Sequence, residues 1–196
     1  MYEDIFQIKS NNLKPEKGKV LLASPLMNDY HFARTAVMMV NNEEEGSMGI
    51  IINKHFKFNI TLNSLIEGLD NIPPISVYKG GPVGRNTLFF IHDMEEIEHS
   101  FPLGNGTFMN GNFDQMLDYI KSGKPTDGRV RFYMGYSGWE KDQLEKEIQE
   151  DSWIISSISK DLILESNITD IWHVCLENMG EPYSLWAKYP VIPELN

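Results

Sequence analysis

Arg129-Val130-Arg131-Phe132-Tyr133-Met134-Gly135-Tyr136-Ser137-Gly138-Trp139-Glu140 is the stretch whose conformation decides the fold. Its first six residues have the β-branched and aromatic bias of a strand, and Gly135-Tyr136-Ser137-Gly138 has the composition of a sharp turn. A helix is predicted to follow at once, because Ser137 and Glu140 stand at the spacing of a capping box. Trp139, Leu144 and Ile148 then share one helical face, Lys141, Asp142, Glu145 and Lys146 point elsewhere, and Trp153 opens the next strand.

Upstream, residues 19–24 read as a buried strand ended by Pro25, and a polar loop through Asn28 and Asp29 follows. Residues 35–40 and 47–53 form two strands around an acidic turn at 41–46, so apolar that both faces are expected to be covered. Thr61 caps a predicted short helix with Leu62, Leu65, Ile66 and Leu69 on its buried stripe. Strands at 75–78 and 87–92 flank Gly80-Gly81-Pro82-Val83, and residues 101–109 give two extended pieces around Gly104-Asn105-Gly106. Asn112 and Gln115 set a second capping box before the stripe Phe113, Met116, Leu117 and Ile120. Downstream come a strand at 153–155, a helical turn at 161–164, and a helix burying Ile171, Trp172, Cys175, Leu176 and Met179 before Gly180 and Pro182.

At 196 residues, 41% of them apolar, the chain has core material for one domain spanning 1–196. Residues 1–15 read as an extension, mobile over 1–12, and 183–196 as a proline-punctuated tail. The net charge of −11, from 17 basic and 28 acidic residues, disfavours direct nucleic-acid binding and attachment to anionic membranes. One cysteine, Cys175, precludes an internal disulfide, and with no export signal or long apolar run a cytoplasmic location is expected. Lys14, Lys17 and Lys19 form a basic cluster without aromatic interleaving and read as a solvated strand entry.

Taken together, several segments resemble the YqgE/AlgH family of bacterial proteins. They are Leu22-Ala23-Ser24-Pro25 with Asp29, Phe32 and Arg34; Glu45 through Asn53; Gly80-Gly81-Pro82-Val83; His92; and Gly135-Tyr136-Ser137-Gly138-Trp139 with Gln143-Leu144-Glu145 and Trp153. The resemblance implies an α/β (α+β) domain whose mixed, strongly curved sheet forms a pseudo-barrel with helices packed outside. It implies little chemistry: its members are mainly of unassigned biochemical function, one lineage carrying the label of a transcriptional regulator. Relatives commonly carry alanine where Ser137 stands. This chain departs from the pattern at Asp142, where glycine is common, and at Asn110-Gly111-Asn112.

Candidate chemistry is sparse. Ser137 between a strand and a helix resembles a nucleophile elbow, with His173 and Asp170 or Glu177 as partners, yet Trp139 replaces the last glycine of that motif and the cap role is preferred. His92, Asp93, Glu95, Glu96, Glu98 and His99 would offer a divalent metal oxygen and imidazole ligands, against a solvated acidic loop. Gly80 to Arg85 lacks the Lys-Ser/Thr of a phosphate loop, and Pro82 removes a donor, so a tight turn is expected. Glu43-Glu44-Glu45-Gly46 likewise reads as a hairpin turn before a cation site, and His31 and His55 read as polar loop residues.

Five residues remain as a binding set: Asp29, Arg34, Asn53, Arg85 and His92, bordering apolar strands. An Arg34–Asp29 ion pair clamping the loop is the structural expectation, and a small polar pocket for an anion or a peptide the functional one. No catalytic residue, metal or cofactor is assigned. The expected role is a non-catalytic binding or regulatory protein whose partner is a protein or a small molecule. The alternatives are a hydrolase, metal-assisted or not, at a polar site near His92, and a regulator acting directly on DNA.

Overall fold

The computed structural model describes residues 8–11, 13–27, 29–165 and 170–189. Asn28, expected in the polar loop, lies outside them, as do most of the N-terminal extension and the end of the tail.

Among the described residues nine strands form one sheet. In chain order they are β1 (Val20–Ala23), β2 (Ala36–Glu43), β3 (Gly46–Ile51), β4 (Val77–Lys79), β5 (Val83–His92), β6 (Phe101–Pro102), β7 (Phe108–Met109), β8 (Val130–Glu140) and β9 (Trp153–Ser156). The order across the sheet is β6-β7-β5-β8-β3-β2-β1-β9, with β4 paired to β8 off that path. Every ladder is antiparallel except β4 with β8. The α+β class is as expected, but the pseudo-barrel is not formed: among the described residues no ladder joins β6 to β9, and the sheet stays open. Strands β6 and β7 have two residues each, too few hydrogen-bonding groups to carry the sheet round to closure.

Alternation along the strands assigns side chains to the two faces. Val20, Leu22, Ala36, Met38, Ile50, Ile154, Ile91 and Tyr133 point into one core. That core is covered by α3 (Lys160–Leu164), α4 (Ile171–Met179) and α5 (Ser184–Ala187). On the opposite face Leu21, Ala23, Val37, Met39, Ile51, Trp153 and Ile155 pack under Leu144 and Ile148 of α2 (Gln143–Gln149). Further along that face Phe90, Val130 and Phe132 pack under Met116 and Ile120 of α1 (Phe113–Lys121). Both faces of the β2–β3 hairpin are therefore buried, which is why its sequence is apolar almost without interruption.

The quoted stretch behaves differently from its prediction. β8 runs unbroken from Val130 through Gly135-Tyr136-Ser137-Gly138 to Glu140, so no turn and no capping box forms there. The glycines serve close backbone approach instead. Gly135 has φ +76 and a Cβ there would lie 2.6 Å from the Gly81 carbonyl oxygen; a Cβ on Gly81 would lie 2.1 Å from the Tyr136 carbonyl. Ser137 is fully buried with its hydroxyl unpartnered, and Trp139 lies on the strand rather than the helix. The helix begins after Asp142, whose φ of +61 explains why glycine suits that position.

Elsewhere the local chemistry is mostly as expected. Asn112 accepts from the amides of Asp114 and Gln115, while the Gln115 carbonyl accepts from Glu98 N–H instead of closing the box. The helix predicted after Thr61 shrinks to a 3-10 turn at Leu62–Ser64, without a side-chain cap. Asn63 organises this segment: its amide donates to the carbonyls of Leu69 and Ile72 and its Oδ1 accepts from Ile75 N–H. The chain ends are tied down as far as they are described. Asn11 exchanges hydrogen bonds with Ile155 on the outer edge of β9, which occupies groups an open edge would expose. Residues 184–187 of the expected tail are α5, and its Trp186 is buried.

Candidate functional site

Arg34 and Asn53 meet at the entry to β2, and Asp29 lies in the turn that leads to it. The Asp29 carboxylate accepts from His31 N–H at 2.6 Å, and its carbonyl accepts from Phe32 and Ala33, so this acid holds a local turn. Arg34 adopts φ +53 and projects toward the C-terminal segment, where its guanidinium donates to the Tyr189 carbonyl and lies 4.9 Å from the Trp172 ring. Burial lowers the Arg34 pKa from its ordinary value, and the charge of Asp170 opposes that. The expected Arg34–Asp29 ion pair is absent among the described residues, because Asp29 is spent on its own turn and Arg34 faces away from it. Asn53 bridges the backbone, donating to the Arg34 carbonyl and accepting from Ala36 N–H, both at 2.9 Å.

His92 stands apart from this group, at the far end of β5. It is 0% exposed, with the Phe90 and Phe108 rings 5.5 and 5.8 Å away. Met94 N–H donates to Nδ1 and Nε2 donates to the Asn110 carbonyl at 2.8 Å, which defines the Nε2-protonated neutral tautomer. Burial lowers its pKa from the ordinary value, against the opposing pull of the Asn110 hydrogen bond and the Asp93 and Glu96 charges. Asp93 meanwhile lies 2.7 Å from Arg129 Nε and 3.4 Å from Lys160 Nζ. Among the described residues no group of three or more His, Cys, Asp and Glu is disposed to hold a metal ion.

Arg85 marks the most distinctive open feature. It lines a cleft of about 300 Å³ together with Tyr30, His31, His55, Phe56, Lys57, Lys79, Gly81 and Met134. Three loops build it: the segment after Asp29, the stretch following β3, and the β4–β5 turn packed against Gly135. Lys79 Nζ lies 3.3 Å from His31 Nδ1 and 5.7 Å from the Tyr30 ring; Arg85 Nε donates to the Pro82 carbonyl. Among the described residues none lining the cleft is acidic, in a chain of net charge −11. Of these residues only Arg85 belongs to the sequence-derived binding set. The others come from segments far apart in the chain, and no spacing signals their convergence.

The remaining sequence candidates lie away from this cleft. Ser137 is sealed inside β8, while His173 lies on α4 with 44% of its side chain exposed, its Nε2 3.9 Å from Glu177. Asp170 caps α4 by accepting from His173 N–H, and Cys175 is 2% exposed. No helix among the described residues is long and apolar enough to cross a membrane.

Solved structures share this architecture. The crystal structure of protein DIP2367 from Corynebacterium diphtheriae superposes with a TM-score of 0.74 at 20% identity, over 94% of this chain and 97% of that one. The solution structure of the AlgH protein from Pseudomonas aeruginosa gives 0.67 at 26% identity, over 93% and 98%. In sequence, the chain is 42% identical to a UPF0301 protein of Bacteroides fragilis and 39% to one of Bacteroides thetaiotaomicron, each across 98% of this chain and 97% of the relative. With the AlgH-like family model, DUF179, also matching residues 20–184, the chain belongs to the AlgH-like (UPF0301) family.

Proposed function

We propose that this chain is a non-catalytic, cytoplasmic binding or regulatory protein, and that the cleft bordered by Tyr30 and Arg85 is where it meets its ligand. One observation carries this: the side chains with latent reactivity, Ser137, His92 and Cys175, are withdrawn into the core, whereas Lys57 and Arg85 of the cleft are exposed and Lys79 is half-buried beside them. A nucleophile without access to substrate cannot act, and a neutral histidine with both nitrogens engaged has no free lone pair for a base or a metal. Direct action on DNA is disfavoured, since a small cleft on a chain of net charge −11 lacks the extended basic footprint that offsets a phosphate backbone.

A substrate survey with the purified chain tests the proposal, and no turnover is expected. Hydrolysis that disappears in a folded Ser137→Ala or His92→Gln variant would overturn it. Retention of a random DNA duplex at about 0.15 M salt would overturn the exclusion of DNA.

A further inference from the structure

Resting on the binding role proposed above, we infer that the cleft between Tyr30 and Arg85 takes a small phosphorylated ligand with a planar ring, of the nucleoside monophosphate class. Lys57 reaches it from the stretch after β3, and Lys79 and Arg85 from the two sides of the β4–β5 connection, and among the described residues no carboxylate lines it to neutralise them. Like charges gathered around a concave surface repel one another, and the field they focus attracts an anion. Lys79 finds only an imidazole nitrogen and a phenol ring for company, and Arg85 a backbone carbonyl, so neither cation is paired with an acid among the described residues. The crowding extends behind the cleft. Lys54, whose carbonyl accepts from Lys79 N–H, has its pKa lowered by burial and then by the charges of Lys79 and Arg34, with Asp170 opposing.

Charge alone would suit any anion; the walls narrow the class. Tyr30 is 76% exposed and stands edge-on to His31, with ring centroids 5.7 Å apart. Phe56 and His55 add aromatic surface to the same cleft, and His55 lies 4.8 Å from the Tyr78 ring. Exposed rings beside a guanidinium and two ammonium groups match a ligand with a flat face at one end and a phosphate at the other. The volume of about 300 Å³ sits at the lower end of small-molecule sites, which suits a single nucleotide.

The experiment is calorimetric titration of the full chain with AMP, GMP, CMP and UMP, alongside adenosine and inorganic phosphate. At least one monophosphate is expected to bind saturably, with adenosine and inorganic phosphate each at least tenfold weaker. Lys79→Ala with Arg85→Ala should weaken it at least tenfold, the melting temperature of the free protein staying within about 3 °C, whereas Lys141→Ala should bind as the parent does. Equal binding of adenosine would overturn the phosphate assignment, and equal binding of inorganic phosphate the ring assignment. Full affinity in the double variant would overturn the location. No binding by any probe at millimolar concentration would overturn the inference while leaving a protein-binding role intact; turnover of a monophosphate would instead overturn the non-catalytic role.

Discussion

Trp139 and Trp153 stand edge to face with their ring centroids 5.9 Å apart, and both indole N–H groups donate to the same carboxylate oxygen of Glu147, at 2.9 and 2.8 Å. One tryptophan comes from β8 and the other from β9, so a single side chain on α2 joins two strands that three others separate in the sheet. Phe32 packs on both rings, 6.1 and 5.6 Å away.

Removing that acceptor strands two buried donors. Glu147→Ala is therefore expected to lower stability by about 2 kcal/mol, with Glu147→Gln, which keeps one carbonyl acceptor, losing about half as much. Urea unfolding followed by tryptophan emission measures both; an alanine variant as stable as the parent would show that the shared carboxylate is incidental.

Ser137 offers a test of opposite sign. A capping serine replaced by alanine costs about 1 kcal/mol, but here the hydroxyl is buried in β8 without a partner. Ser137→Ala is expected to be neutral or to stabilise by up to about 1 kcal/mol. The midpoint of chemical denaturation decides between them.

His92 links stability to pH. Burial holds its folded pKa below 6.5, while the unfolded chain takes up a proton near that value. The unfolded state binds more protons in the window just below 6.5, so the contribution is whole above that pH and declines as pH falls, by at most about 1.4 kcal/mol per unit. The stability difference between the parent and His92→Gln should shrink between about pH 7.5 and about pH 5.5. A difference that stays flat or widens over that range would contradict a buried neutral imidazole.

Cys175 should be inert in the folded protein. Burial pushes its thiol up to about 12 and leaves it 2% exposed, so thiolate and access are both scarce. Alkylation by iodoacetamide at about pH 8 is expected to be at least a hundredfold slower than in denaturant. Comparable rates would place the side chain at the surface.

Much of this architecture is written locally. Unbroken apolar runs at 20–23, 36–40 and 153–155 specify strands covered on both faces, and Asn112 and Gly180 mark helix ends by their own hydrogen-bonding and conformational preferences. Gly135 to Gly138 misleads for a physical reason: glycine favours turns in isolation, but it also lets two backbones approach, and which need applies depends on whether Gly81 lies across from it. Asn53 was legible as a polar residue bordering a strand, yet its two backbone partners, Arg34 and Ala36, belong to the neighbouring strand's entry.

By itself, the amino-acid order determined most of the strands, the helices after Asn112 and Asp170, the two-sided core and the acidic character of the surface, since periodicity, capping and charge act within a few residues along the chain; it did not determine the unbroken course of β8, the short turn after Thr61 or α5. Only the tertiary structure decided that Ser137 and His92 are sealed while Arg85 joins Lys79, Lys57 and Tyr30 in an open cationic cleft. Burial and the meeting of loops 30, 57 and 79–85 depend on how the sheet orders its strands, and pairing across such separations leaves no periodic trace in the residues that make it.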